Sequence, residues 1–186
     1  MGRLIGIIGK KRAGKDTIGD YLVANHNFTK YSFADPLKRG AMEIFGLTEK
    51  QVFGDDKDKI ATEWGVTPRV LLQIMGTELF QYDIQKHIPE FIGIGREIWV
   101  KRFLQWHKEN KDRNIVVCDV RFKHEAEAII KEGGEIWKVI RDTNKYTIDS
   151  HASEMELEEI QDLNIIIYNN SSLDKLYSNI NKSLNK

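Results

Sequence analysis

The chain of 186 residues contains a single cysteine, Cys118, so no disulfide can close within it, and this composition suits a reducing compartment. Net charge is also missing, because 28 Lys and Arg balance 28 Asp and Glu. No overall field draws the protein to nucleic acid or to an anionic membrane, so any phosphate binding has to be local. Long apolar runs are absent as well: "LIGIIG" and "NIVVCDV" fall far short of the ~18 residues of a spanning helix. Arg3 is followed by strand-like sequence rather than by a cleavable signal, and no repeat or low-complexity tract is present. These absences set the expectation of a cytoplasmic protein with no membrane or nucleic-acid partner. With 41% apolar residues, the chain can fill one core as a single domain, residues 1–186.

Three short runs rich in Ile and Val stand out: "RLIGIIG" (3–9), "NIVVCDV" (114–120) and "NIIIYN" (164–169). They are continuous rather than alternating, the pattern of strands buried on both faces of a parallel sheet. "FTKYSF" (28–33) and "EIWKVIRD" (135–142) complete a set of five. Helical patterns separate them. Ile18, Tyr21 and Leu22 recur after Gly14 until "NHN", and Ala126, Ile129 and Ile130 recur until the stop signal of Gly133 and Gly134. Thr67 is an N-cap with Pro68 at the first helical position, and Val70, Leu71, Ile74, Met75 and Leu79 form the expected core side. A last helix carries Leu173, Leu176, Tyr177, Ile180 and Leu184. Strands alternating with helices predict a three-layer α/β fold, a parallel five-stranded sheet flanked by helices. The helical excursion from about 34 to 112 exceeds a simple crossover and reads as a substrate-binding insertion.

"GKKRAGKDT" (9–17) carries the chemistry. It fits G-x-x-x-x-G-K, placed between a buried-strand run and an amphipathic helix, which is the setting of a phosphate-binding loop. Gly9 and Gly14 let backbone N–H groups of the loop, Ala13 among them, approach phosphate oxygens, while the following helix offers its positive end. Lys15 adds a point charge, and Lys11 and Arg12 form a basic tip that solvation alone would also explain. Where such loops usually carry Ser or Thr, Asp16 follows the lysine, with Thr17 one place later.

Taken with "YSFADPLK" (31–38), "TPRVLLQIMGTELF" (67–80), "REIWV" (96–100), "VCDVRFKHEAEAI" (117–129) and "SHASE" (150–154), the loop resembles the bacteriophage-type deoxynucleoside monophosphate kinases, motif by motif and in order. The resemblance covers most of the chain, which is shorter than well-known members in its centre. It implies a P-loop kinase fold, ATP and Mg²⁺ as cofactors, and a deoxynucleoside monophosphate as the small-molecule substrate. That family also places Asp after the loop lysine. The resemblance is compatible with a homodimer and silent on which bases are accepted.

The remaining site residues follow. Arg69 lies in the first turn of the Thr67 helix, where its charge opposes the positive helix end unless an anion is there, so it reads as a ligand of the acceptor phosphate. Gln73, Thr77 and Phe80 continue that face, and Phe33, Lys38 and Trp64, in or beside the family motifs, complete the acceptor-site candidates, Phe33 and Trp64 as base-stacking surfaces. Asp119 and Arg121 point to one side of an extended segment. Either they form a private salt bridge, or Asp119 lies near Mg²⁺ or the acceptor with Arg121 on a phosphate oxygen. Arg141, with Lys145 and His151, belongs to a polar stretch read as a lid, 141–154, followed by the capping pattern "SEME". The expected catalytic set is Lys15, Asp119, Arg121 and Arg141, with ATP also contacted by Arg141 and the metal by Asp16 and Asp119. His124 and Glu125 read as a solvated first turn, Cys118 as packing, and Trp99 and Trp106 as core anchors. A P-loop phosphomevalonate kinase, whose loop also ends in G-K-D, is the alternative enzyme. A non-catalytic nucleotide-binding regulator would leave the arginines without a task.

Overall fold

A computed structural model describes residues 2–61, 63–91, 94–142, 160 and 163–185. Five strands form one sheet: β1 (Leu4–Ile8), β2 (Phe28–Tyr31), β3 (Asn114–Val117), β4 (Glu135–Ile140) and β5 (Ile165–Tyr168), in the order β2-β3-β1-β4-β5. Every pairing is parallel, with Ile5 opposite Val116 on one side and Glu135 on the other. All five residues of β1 are buried, as a central strand with covered faces requires. The strands are shorter than the apolar runs. β3 stops at Val117, and Cys118 to Arg121 leave the ladder as an irregular segment in which Val120 is buried and Arg121 exposed.

The chain divides into two compact units, Met1–Ser32 with Leu104–Lys186, and Phe33–Phe103. In the first, α1 (Lys15–His26) and α8 (Leu173–Leu184) cover one face of the sheet. Ile18, Leu22, Leu176 and Ile180 pack there with Ile5, Ile7, Val116, Trp137 and Ile167. On the other face α7 (Lys123–Lys131) brings Ile129 against Gly6 and Gly134. Three layers result, the arrangement of α/β folds. Asn27 ends α1 in the left-handed region at φ 55°, with its N–H on the Leu22 carbonyl. The Ser172 hydroxyl accepts from Lys175 N to start α8, whose Leu173 stays 57% exposed, outside the apolar face expected of it.

The second unit contains α2 (Asp35–Phe45), α3 (Glu49–Val52), α4 (Pro68–Gln73), a π-helix (Ile74–Asp83), α5 (Ile84–His87) and the start of α6 (Ile98–Glu109). Its core gathers Ala41, Leu47, Val52, Ala61 and Met75, with Leu71, Leu72 and Phe80 packed around them. Thr67 caps α4 as expected, accepting from Val70 N. The face expected to be core is corrected here. Val70, Ile74 and Leu79 are exposed, whereas Gly76 is buried and Phe80, assigned to the cleft side, packs into the core and edge-on to Trp99. A π-helix takes about one more residue per turn than an α-helix, so a 3.6-residue count misplaces Ile74, Leu79 and Phe80, whereas Val70 precedes the π-helix and is exposed in the first turn of α4. The Trp99 indole donates to the Gly76 carbonyl at 3.0 Å, a side-chain intrusion of the kind that distorts the helical ladder.

Candidate active site

Buried β1 delivers the chain into the loop at Gly9, with φ +151°, where a Cβ would stand 2.5 Å from the Val139 carbonyl oxygen. Arg12 and Gly14 adopt positive φ as well, at 65° and 107°. Arg12 bears that conformation with a side chain, which glycine would adopt without steric cost. Lys15 begins α1 and folds back over the loop, its Nζ donating to the Gly9 carbonyl at 2.7 Å and the Lys10 carbonyl at 3.0 Å. The exposed basic tip at Lys11 and Arg12, the buried Ala13 and the first turn of α1 with Asp16 and Thr17 complete a helix-terminal concavity suited to an anion.

The Lys30 ammonium, on β2, sits between two carboxylates of α1, 3.0 Å from Asp16 Oδ1 and 3.0 Å from Asp20 Oδ1. Burial opposes its charge, but these hydrogen bonds outweigh burial and raise its pKa above the ordinary value. Beyond β3, half-buried Asp119 accepts from the Ser32 hydroxyl at 2.7 Å. Cys118 beside it is 5% exposed, and burial pushes its thiol up to about 12, consistent with packing rather than nucleophilic use. Arg121 and Arg141 are both exposed, Arg141 directly after β4.

Glu125 overturns its sequence assignment. It is 4% exposed, not solvated, and one oxygen, Oε2, accepts from the backbone N–H of Arg121 at 2.7 Å and of Phe122 at 3.1 Å. Burial pushes the carboxyl up to about 8, against the pull of the Arg121 N–H. The usable signal was spacing, because a Glu three residues after the N-cap Phe122 matches the acidic half of a capping box. His124 stacks on Phe122 with ring centroids 5.4 Å apart. Lys30, Ser32, Glu125 and Asn169, whose Nδ2 donates to the Ala13 carbonyl, are residues that sequence reasoning left outside the site.

In the second unit the acceptor candidates meet different neighbours. Arg69 makes a two-pronged pair with Asp58 at 2.5 and 2.9 Å, which raises its pKa. Lys38 lies 3.6 Å from Asp35 and over the Phe53 ring. Gln73 is exposed. Phe33 is 4% exposed with its edge toward Phe103, so little of its ring is open to a base. Trp64 is half-exposed, donates to the Phe45 carbonyl and lines a cavity of about 590 Å³ whose walls do not include Lys38, Arg69 or Gln73. Of the 141–154 segment, Arg141 and Asp142 are described; Lys145, His151 and the "SEME" pattern lie outside the described residues.

The family model of deoxynucleotide monophosphate kinases matches residues 3–60 and 47–180. A protein of Acanthamoeba polyphaga mimivirus assigned as a deoxynucleotide monophosphate kinase is 35% identical over 184 residues, 95% of this chain and 93% of its own length. The deoxynucleotide monophosphate kinase of Enterobacteria phage T4 is 24% identical, with 98% of each chain covered. Among solved structures, dephospho-CoA kinase from Campylobacter jejuni superposes with a TM-score of 0.53 at 15% identity, covering 99% of this chain and 96% of its own. TT1252 from Thermus thermophilus does so with 0.54 at 17%, covering 98% and 96%. At such identities the structures speak for the P-loop kinase fold, whereas the sequence matches speak for descent. On those matches the chain is a kinase of the deoxynucleotide monophosphate kinase family.

Proposed function

We propose that the protein transfers the γ-phosphoryl group of ATP to a deoxynucleoside monophosphate, giving ADP and the deoxynucleoside diphosphate. One observation carries the reading of the donor side: Lys15 is folded onto the carbonyls of a loop whose two glycines have positive φ at the start of a helix. Such a loop presents N–H groups and one mobile charge to the β and γ phosphates. In the transfer, an oxygen of the acceptor phosphate bonds to the γ-phosphorus as the bond to the bridging oxygen breaks, and the electron pair leaves with ADP. The acceptor phosphate is already ionised near neutral pH, so no strong general base is required. The protein's contribution is positioning and positive charge, from Lys15, Arg121 and Arg141 on the phosphoryl group and from Arg69 on the acceptor. Within one P-loop kinase domain, the helical excursion from about 34 to 112 is the acceptor-binding insertion, with Lys38, Gln73 and Trp64 as its further contacts and Phe33, buried against Phe103, behind them rather than as a stacking surface.

Magnesium is the ion whose chemistry the donor set fits, since Asp16 and Asp119 offer hard carboxylate oxygens near the loop and after β3. Two carboxylates would leave the remaining coordination positions to phosphate oxygens and water. When bound, the ion neutralises charge on the phosphates. Asp16, which is paired with Lys30, and Asp119, which accepts from the Ser32 hydroxyl, are the residues that would hold it. The cytoplasm is the proposed location. No helix among the described residues is long and apolar enough to cross a membrane.

A thermal-shift panel tests the reading. ATP with Mg²⁺ should raise the melting temperature, and one or more of the four deoxynucleoside monophosphates should do so independently, because a ligand at 100 times its Kd adds about 2.7 kcal/mol. Stabilisation by ATP alone would favour a nucleotide-binding regulator, and stabilisation by phosphomevalonate the alternative enzyme.

A further inference from the structure

Asn169 follows the last residue of β5 and is 8% exposed. Its Nδ2 donates to the Ala13 carbonyl oxygen at 2.8 Å, across 156 residues of sequence, and its own N–H donates to the Ile140 carbonyl at 2.7 Å. The side chain also lies against Gly14, where a Cβ would stand 2.4 Å from Nδ2. The Ala13 carbonyl and the Gly14 N–H belong to one planar trans peptide, in which the two groups point in opposite directions. Holding the carbonyl toward Asn169 therefore aims the Gly14 N–H away from it.

Left to itself this peptide would be free to rotate, because Gly14, at φ +107°, has no Cβ to oppose the turn. A rotated peptide would present a carbonyl oxygen where a phosphate requires a donor. The next residue anchors the turn: Asn170 Nδ2 donates to Asp142 Oδ2 at 2.6 Å, and Asp142 N donates back to Asn170 Oδ1 at 2.7 Å. Residues 169 and 170 are thus pinned to the end of β4, and Asn169 grips the loop from a fixed base.

We propose that Asn169 is a positioning residue of the phosphate loop, fixing the Ala13–Gly14 peptide so that the Gly14 N–H is presented to the phosphates of ATP before they arrive. It makes this contact through the loop and does not itself touch the transferred group. The inference rests on the reading of the loop as the ATP site.

The test is isothermal titration of the full chain with ATP in the presence of Mg²⁺, and separately with the deoxynucleoside monophosphate that the wild type binds best. Asn169→Asp keeps the size of the side chain but sets an acceptor against the Ala13 carbonyl, and Asn169→Ala removes the contact. Both should bind ATP ~10-fold or more weakly, because the free loop then spends only about a tenth of its time or less with the peptide in the binding orientation, with acceptor affinity within about twofold. Asn170→Ala, which leaves the Ala13 bond in place, should lose less ATP affinity than either. A folded Asn169→Asp protein with ATP affinity within about twofold of wild type overturns the proposal, as does an equal loss for both ligands or failure of both variants to fold. Absence of ATP binding by the wild type is a different failure, that of the loop reading itself.

Discussion

At the scale of single residues, charge placement decides what each group can do. Lys15 is held by two carbonyls, contacts that a bound phosphate would replace with a stronger, charged partner. Lys15→Ala should leave circular dichroism unchanged and lower turnover by ~100-fold or more in a coupled ADP assay, since a charge aimed at the moving group is lost. Arg69 is pre-set by Asp58 in a pair exposed on both sides, worth ~0–1 kcal/mol, so a dianionic phosphate can displace the carboxylate cheaply. Arg69→Ala should raise KM for the monophosphate far more than KM for ATP. Equal effects would assign the arginine to the wrong substrate. For Asp16, Asp16→Ala should raise the Mg²⁺ concentration at half-maximal rate several-fold, and Asp16→Ser should recover part of the loss. An unchanged Mg²⁺ requirement with a small fall in melting temperature would reduce Asp16 to a favourable charge at a helix N-terminus.

At the scale of elements, two structures depart from simple sequence patterns and each has a measurable consequence. The turn from Arg121 into α7 is closed by Glu125, whose pKa rises from 4.5 to about 8 through burial. Between those two values the native state holds a proton that the unfolded chain has released. The unfolding free energy therefore falls as pH rises through that window, by up to about 1.4 kcal/mol per pH unit. Below pH 4.5 this group contributes no slope, and above pH 8 the loss is complete. Glu125→Gln keeps an oxygen for the two N–H groups and carries no charge, so urea melts from pH 5 to 8 should show it gaining stability relative to wild type as pH rises; a constant difference would contradict the assignment. The π-helix gives the second consequence. Ile74 is 51% exposed and Met75 7%, so Met75→Ala should cost ~2–5 kcal/mol by cavity formation, while Ile74→Ala should stay within about 0.5 kcal/mol. Comparable losses would restore the α-helical register.

At the scale of the whole molecule, the sheet and the phosphate loop were legible because they are local. Continuous Ile and Val runs mark buried parallel strands, and the spacing of Gly9, Gly14 and Lys15 marks the loop. What escaped was non-local or aperiodic. The bond from Asn169 to Ala13 spans 156 residues, and the Lys30 pair with Asp16 needs β2 and α1 side by side. Glu125 was misjudged because its charge argued for solvent, whereas two N–H groups of the neighbouring turn accommodate it in the interior. Ile74, Leu79 and Phe80 were misread because the 3.6-residue period stops after Gln73. The central claim, phosphoryl transfer from ATP to a deoxynucleoside monophosphate, is tested most directly by ADP release with Mg²⁺ across the four deoxynucleoside monophosphates, their ribose counterparts and phosphomevalonate. The account predicts ADP release with at least one deoxynucleoside monophosphate, abolished in Lys15→Ala. No release with any of the four, or release with phosphomevalonate alone, would contradict it.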